Sequence, residues 1–306
     1  MNAIKGFLNY VEIKNKITSV LTFLMTLTFL FVSGKAIDRQ KTLVFFAGML
    51  FFDLTATAIN NYCDTKNNRQ TLQFKRRTAL VIIIVLLAIS LAFGLYLVYL
   101  TDLAVLFLGA LCFLFGIMYS FGPVPISHGP YGEIVSGLFY GLLIPFLLVY
   151  INTPEEVFVY ALKAGRLSFE GDIITFAKLF LLAQVPCCLT ANIMLANNIC
   201  DLQNDVQVKR FTLPYYLKGA SLHLFAALYY LAYASVIAMV IFRLISPLSL
   251  LLLLTLPWVQ KNIRRFYRRQ DKETTFMVSI QNFIIIITAH TLLMLLGGLF
   301  ANWSLR

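Results

Sequence analysis

The chain has 306 residues, of which 59% are apolar and only 13% charged, with a mean hydropathy of +0.80. That balance excludes a soluble globular domain. The formal charge of +11 does not point to nucleic acid, because the Lys and Arg residues cluster at the ends of apolar runs, where anionic lipid and membrane topology alone would put them.

Nine largely apolar stretches are predicted near 17–33, 42–60, 78–99, 103–121, 133–151, 174–196, 221–242, 244–258 and 277–300. Each can cross about 30 Å of hydrocarbon as a helix, the eighth being the shortest. The first exceeds a typical signal-peptide core, lacks a small-x-small cleavage site and precedes eight more spans, so it reads as a membrane helix. The runs are too long and too unalternating for barrel strands. The expected fold class is therefore all-α: one integral membrane domain over 1–306, a polytopic bundle of about nine transmembrane helices in the lipid bilayer. Between the fifth and sixth spans, "TPEEVFVYALKAGRLSFEGD" (153–172) reads as an outer loop with a short interfacial helix.

The loops alternate in charge. Lys5, Lys14 and Lys16 at the N-terminus, with the 61–77, 197–220 and 259–276 loops, hold 17 of the 25 Lys and Arg residues. This side is expected to be cytoplasmic. All five cysteines lie within spans or at their cytoplasmic ends, where reduced thiols are the rule.

Two segments stand out. "INNYCDTKNN" (59–68) closes the second span and "ANNICDLQND" (196–205) closes the sixth, which puts both on the cytoplasmic side. Asn60, Asp64 and Asn68 are four residues apart, as are Asn197, Asp201 and Asp205, so each set stacks on one helix face. All six side chains offer hard oxygens, which suits a magnesium ion bound through one or two carboxylates plus substrate phosphates. Helix-end capping accounts for one such motif, but two on one surface favour a shared ligand. Cys63 and Cys200 lie about 100° around the helix from the neighbouring aspartates and have no histidine at ligand spacing, which argues against zinc.

Asp53 lies eleven residues before Asp64, about three turns deeper on the same face. An ionisable group at that depth is costly. It reads either as a hydrogen-bonded anchor, with Thr57 and Asn192 as partners, or as a polar group lining a cavity. His128 reads either as a solvated loop residue or as a substrate contact, and His223 and His290 as ordinary helix residues.

Taken together, the motifs resemble the UbiA superfamily of intramembrane prenyltransferases, and most of all its 1,4-dihydroxy-2-naphthoate branch. "NNICDLQNDVQVKRFTLPYYL" is similar to that branch's second motif through Asn197, Asn198, Asp201, Asp205, Lys209, Arg210, Thr212, Leu213 and Pro214. "YSFGPVPISHGPYGE" resembles its Gly-Pro loop through Tyr119, Gly122, Pro123, Pro125, Gly132 and Glu133. Asn61 and Asn68 stand where the family pattern has Asp, which leaves Asp64 as the first motif's only carboxylate.

The resemblance implies a UbiA-like bundle that transfers a polyprenyl group from its diphosphate to an aromatic small-molecule acceptor, with Mg2+ as cofactor, in a bacterial cell membrane. It implies a magnesium site built from Asp64, Asp201 and Asp205 with Asn60, Asn68 and Asn197. Lys209 and Arg210 would contact the diphosphate, joined by Lys66 and Arg69; Asn61 and Asn198 would help bind substrate. Tyr119, Tyr62 or Tyr140 would face the allylic cation, and Glu133 would bind the acceptor or handle its proton. Acceptors of other quinone, haem or lipid pathways remain alternatives. So does a secondary transporter, although its polar sites belong at the midplane of matching broken helices.

Overall fold

The computed structural model describes residues 3–67, 71–123, 125–163 and 166–304. Its helices follow the apolar runs: α1 (Ile17–Val32), α2 (Arg39–Asn67), α3 (Arg76–Leu100) and α4 (Leu103–Ser120). Then come α5 (Gly132–Asn152), α6 (Ile173–Gln207) and α7 (Ala220–Ile241). The eighth, α8, is a 3-10 run, Pro247–Thr255, leading into an α-helix, Leu256–Arg268, and α9 is Met277–Ser304. An amphipathic helix, Ala3–Tyr10, precedes them.

Among the described residues, eight helices are long and apolar enough to cross a membrane; α8 is the one that falls short. Pro257 has no N–H to continue an α-helical ladder through Leu253, and Leu256 bonds back to Leu253 with 3-10 spacing. Beyond it, Val259, Ile263 and Phe266 are buried while Lys261, Arg264, Arg265 and Arg268 occupy the other face. The predicted 244–258 span is thus mostly an apolar 3-10 rod, and its last three residues open a basic amphipathic helix that runs into the predicted 259–276 loop.

The 153–172 segment also differs from expectation. After a single helical turn, Pro154–Val157, it forms an antiparallel hairpin of β1 (Phe158–Lys163) and β2 (Arg166–Gly171). Phe158 stacks on Tyr150 with centroids 4.5 Å apart and leans on Phe169 at 5.0 Å, which pins the hairpin to the end of α5.

Local chemistry fixes the helix ends. Asp102 caps α4 by accepting from the N–H groups of Ala104 and Val105, and its other oxygen accepts from Tyr150 at 2.7 Å. Asp172 caps α6 by accepting from Ile174 and Thr175. The middle of α5, Gly137–Leu143, is wound as a π-helix and lies so close to α6 that a Cβ on Gly141 would stand 2.1 Å from Cys187 Cα.

The 29 residues of α2 and the 35 of α6 make rods of about 43 and 52 Å, longer than the roughly 30 Å hydrocarbon core. Both overshoot at the end that carries their Asn-Asp motifs. One apolar core joins α6 to α9 around Leu182, Phe225, Phe266 and Phe283. Two smaller ones pack the opposite ends of the α1–α5 half, around Phe23 and Leu148 and around Tyr10 and Leu54.

Candidate active site

The α6 helix ends in a chain reversal. Lys209 adopts a left-handed conformation (φ 59°), its N–H bonds Val206 O, and Arg210 N–H bonds Asp205 O at 2.8 Å. This is the paired bonding of a Schellman cap, in which glycine usually takes the left-handed position. The reversal leaves Lys209 exposed and folds Arg210 back over the helix end. The α4–α5 loop holds the turn: His128 O accepts from Phe211 N–H at 2.9 Å and Ser127 O from Arg210 Nη2 at 3.3 Å.

Arg210 thereby stands between the two motifs. Its Nη1 is 3.6 Å from Asp64 Oδ2 and its Nε is 3.6 Å from Asp205 Oδ1. Both separations exceed a hydrogen bond, and the buried Nε has no hydrogen-bond partner. One turn before Asp64, Asn60 accepts from Ser120 at 2.8 Å. The other carboxylate of the second motif faces a different cation: Lys272 Nζ lies 2.5 Å from Asp201 Oδ2 and also donates to Asn197 Oδ1. Three carboxylates and two cations meet at one end of the bundle.

The remaining expected residues separate. Asn198 is buried and donates to Glu133 Oε1 at 2.9 Å, while Glu133 Oε2 has no partner. Asn61 turns away, its amide donating to Tyr10 O and Glu12 Oε1. Asn68, Arg69 and the side chain of Lys66 lie outside the described residues. Burial and the Arg210 charge push the His128 pKa down, against the opposing pull of Asp64; of the two readings the sequence allows for it, this places the histidine at the edge of the cluster rather than in open solvent.

Below this mouth a cavity of about 600 Å³ runs between α2, α3, α4 and α5. Asn60 and Tyr119 are among its polar lining residues, and Phe45, Phe52, Phe93, Phe113 and Phe139 form much of its wall. Asp53 and Tyr140 lie on it as well. Asp53 is both things the sequence allowed, an anchor and a wall residue, but its partners differ from those expected. It pairs with Lys16 at 2.7 Å and accepts from Ser19 and Tyr140. Thr57 joins only through Lys16, and Asn192 donates to Phe225 O instead.

Lys272 and Lys16 are the residues that sequence reasoning missed as partners. Lys272 sits in a loop rich in Lys and Arg and so reads as topology. The one local signal is "DKETT" (271–275), in which Asp271 is poised to cap its own turn.

No three Asp, Glu, His or Cys side chains among the described residues form a ready metal cluster. The donors that do converge fit a magnesium ion nonetheless, because they are all hard oxygens and that ion takes its other ligands from water and phosphate. The loosely held guanidinium between Asp64 and Asp205 shows that these oxygens already share one cation.

Fold and sequence together define an integral membrane enzyme of the prenyltransferase class. The chain belongs to the UbiA prenyltransferase family, whose model matches residues 19–287. The chain is 24% identical over 247 residues to the 1,4-dihydroxy-2-naphthoate octaprenyltransferase of Bacillus subtilis (strain 168), covering 74% of this chain and 73% of that one. A UbiA homologue from Archaeoglobus fulgidus bound to GPP and Mg2+ has a TM-score of 0.63 at 16% identity, over 94% of this chain and 99% of that one. The apo UbiA homologue from Aeropyrum pernix K1 has a TM-score of 0.62 at 14% identity, over 93% and 98%. Membership in this family sets aside the transporter reading.

Proposed function

We propose that the whole chain works as one domain that transfers a polyprenyl group from polyprenyl diphosphate to 1,4-dihydroxy-2-naphthoate, with Mg2+, at the cytoplasmic face of a bacterial cell membrane. The observation that carries this reading is Arg210 spanning Asp64 and Asp205 at the mouth of an aromatic-walled cavity. The B. subtilis relative supports the acceptor, and the Lys and Arg asymmetry supports the orientation.

In this mechanism the allylic C–O bond breaks and its electron pair leaves with the diphosphate. Magnesium, when bound by Asp64, Asp201 and Asp205 with Asn60 and Asn197, would neutralise the charge that develops there. Arg210 offers a planar fork of donors to phosphate oxygens. Tyr119 and Tyr140 give the allylic carbon a π-rich wall, and the phenylalanines keep water from it. A C–C bond then forms at the ring carbon that bears the carboxylate. Carbon dioxide departs and returns its electron pair to the ring, so no separate base is needed for that step. Glu133, buried beside Asn198 with one oxygen unpartnered, would hold an acceptor hydroxyl.

The test is purified protein with a polyprenyl diphosphate, Mg2+ and a panel of aromatic acceptors, with products read by mass. A prenylated, decarboxylated naphthalene product is expected. Prenylation of a different acceptor class alone would overturn the choice of naphthoate.

A further inference from the structure

Lys272 is presented to the mouth by a loop built to hold it. Asp271 Oδ1 accepts from the N–H groups of Glu273 and Thr274 and from the Thr274 hydroxyl, at 3.1, 2.8 and 2.7 Å. Asp271 Oδ2 takes Arg269 at 3.0 Å, and Arg265 reaches over to Thr274 O. These bonds hold the Asp271 pKa down at about 2, so the carboxylate that shapes the loop is charged at any physiological pH. From this turn the Lys272 ammonium reaches Asp201 and Asn197 and lies 5.2 Å over the Phe276 ring.

We propose that Lys272 is a second diphosphate-binding residue, and that it exchanges Asp201 for phosphate oxygens when a divalent ion takes the carboxylate. The proposal rests on the diphosphate reading above. Asp201 Oδ2 and Asn197 Oδ1, both held by Lys272, are two of the oxygens that the magnesium site requires. A divalent ion seated on these oxygens draws off their charge and repels the ammonium a few ångströms away, so ion binding loosens Lys272 from them. The anion beside the loosened ammonium is then the diphosphate. The short loop keeps the ammonium at the mouth, and an ammonium on a flexible stem suits such a change of partner better than a guanidinium fork. Lys272 therefore opposes the metal alone and favours the diphosphate.

This opposition separates the proposal from a structural role. In Lys272→Met, Mn2+ titrated without diphosphate should bind about tenfold more tightly than in the wild type, the size of one charge-assisted contact removed. Inorganic pyrophosphate titrated at saturating Mn2+ should bind about tenfold more weakly. Lys272→Arg keeps the charge but not the flexible point donor, and should lie between the wild type and Lys272→Met in both titrations. Mn2+ affinity that is unchanged or weaker in Lys272→Met, or pyrophosphate affinity that is unchanged, overturns the exchange. If the wild type itself bound neither Mn2+ nor pyrophosphate, the diphosphate reading of the whole site would fall instead. Lys272 is a loop residue whose side chain is 44% exposed, so the variant retains its fold.

Discussion

Breaking the Lys16–Asp53 pair should cost more than removing it. The pair is 2.7 Å long with both side chains 5% exposed, and its polar atoms are satisfied. Lys16 uses its three donors on Asp53 O, Asp53 Oδ1 and Thr57 Oγ1, while Ser19 and Tyr140 serve the carboxylate. Asp53→Asn leaves an uncompensated ammonium in the bundle and should destabilise it by about 3–5 kcal/mol. Lys16→Met leaves a carboxylate with two hydroxyl donors and should cost about 3 kcal/mol. The double variant carries no buried charge, keeps one amide oxygen for Ser19 or Tyr140 and an NH2 group that the other hydroxyl can accept from, and should return to within about 2 kcal/mol of the wild type. Unfolding in mixed micelles, followed against the mole fraction of sodium dodecyl sulfate, measures all four corners of the cycle. Additive losses, with the double variant as unstable as the two singles summed, would refute the claim that the charges stabilise only as a pair.

Other expectations follow from the mouth and its frame. Asp201→Ala and Asp205→Ala should each lower turnover by at least about a hundredfold, as loss of preorganised electrostatic stabilisation does; unchanged turnover in a product assay would remove them from the mechanism. Gly141→Ala puts a methyl against the α6 backbone and should cost about 1–3 kcal/mol, seen as a lower thermal midpoint. His128, held below its ordinary pKa of 6.5, takes up its proton more readily in the unfolded chain. Stability should therefore fall as pH drops below 6.5, and His128→Gln should flatten that slope between pH 7.5 and 5.5, read as thermal midpoints.

The spans were legible because apolar runs of this length have few other fates, and the motif register because four-residue spacing stacks side chains whatever the surroundings. The α8 break was legible only in part. Pro257 was visible, but a proline two residues into a helix is compatible with a continuous rod, and the basic face of 261–268 emerges only once Val259, Ile263 and Phe266 are seen buried. The partners of Asp53 were not legible, since Lys16 is 37 residues away and nothing local marks it as buried rather than interfacial. Lys209 and Arg210 were read alike as phosphate ligands. Backbone geometry separates them, because a left-handed Lys209 reverses the chain and sends only Arg210 inward. The hairpin is not legible in 153–172, because a short segment of mixed apolar and polar residues is a signal that strand and interfacial helix share.

The charges at the mouth set a sign that activity alone would hide. Asp64, Asp201 and Asp205 against Arg210 and Lys272 leave one net negative charge, so these five side chains do not by themselves attract a polyanion. A divalent ion reverses that balance, and each carboxylate then helps hold the diphosphate through the ion rather than repelling it. Replacing one carboxylate should accordingly have opposite effects under two conditions. With the divalent ions chelated, Asp205→Asn should bind inorganic pyrophosphate more tightly than the wild type, because it removes repulsion and leaves Arg210 to Asp64 and the ligand. At saturating Mg2+ the same variant should bind pyrophosphate more weakly, because it removes an ion ligand. Calorimetric titration under both conditions measures the crossing. A change of one sign in both would mean that Asp205 acts on the anion directly or only through the fold, and the metal-bridged clamp would be lost as the explanation of the paired motifs.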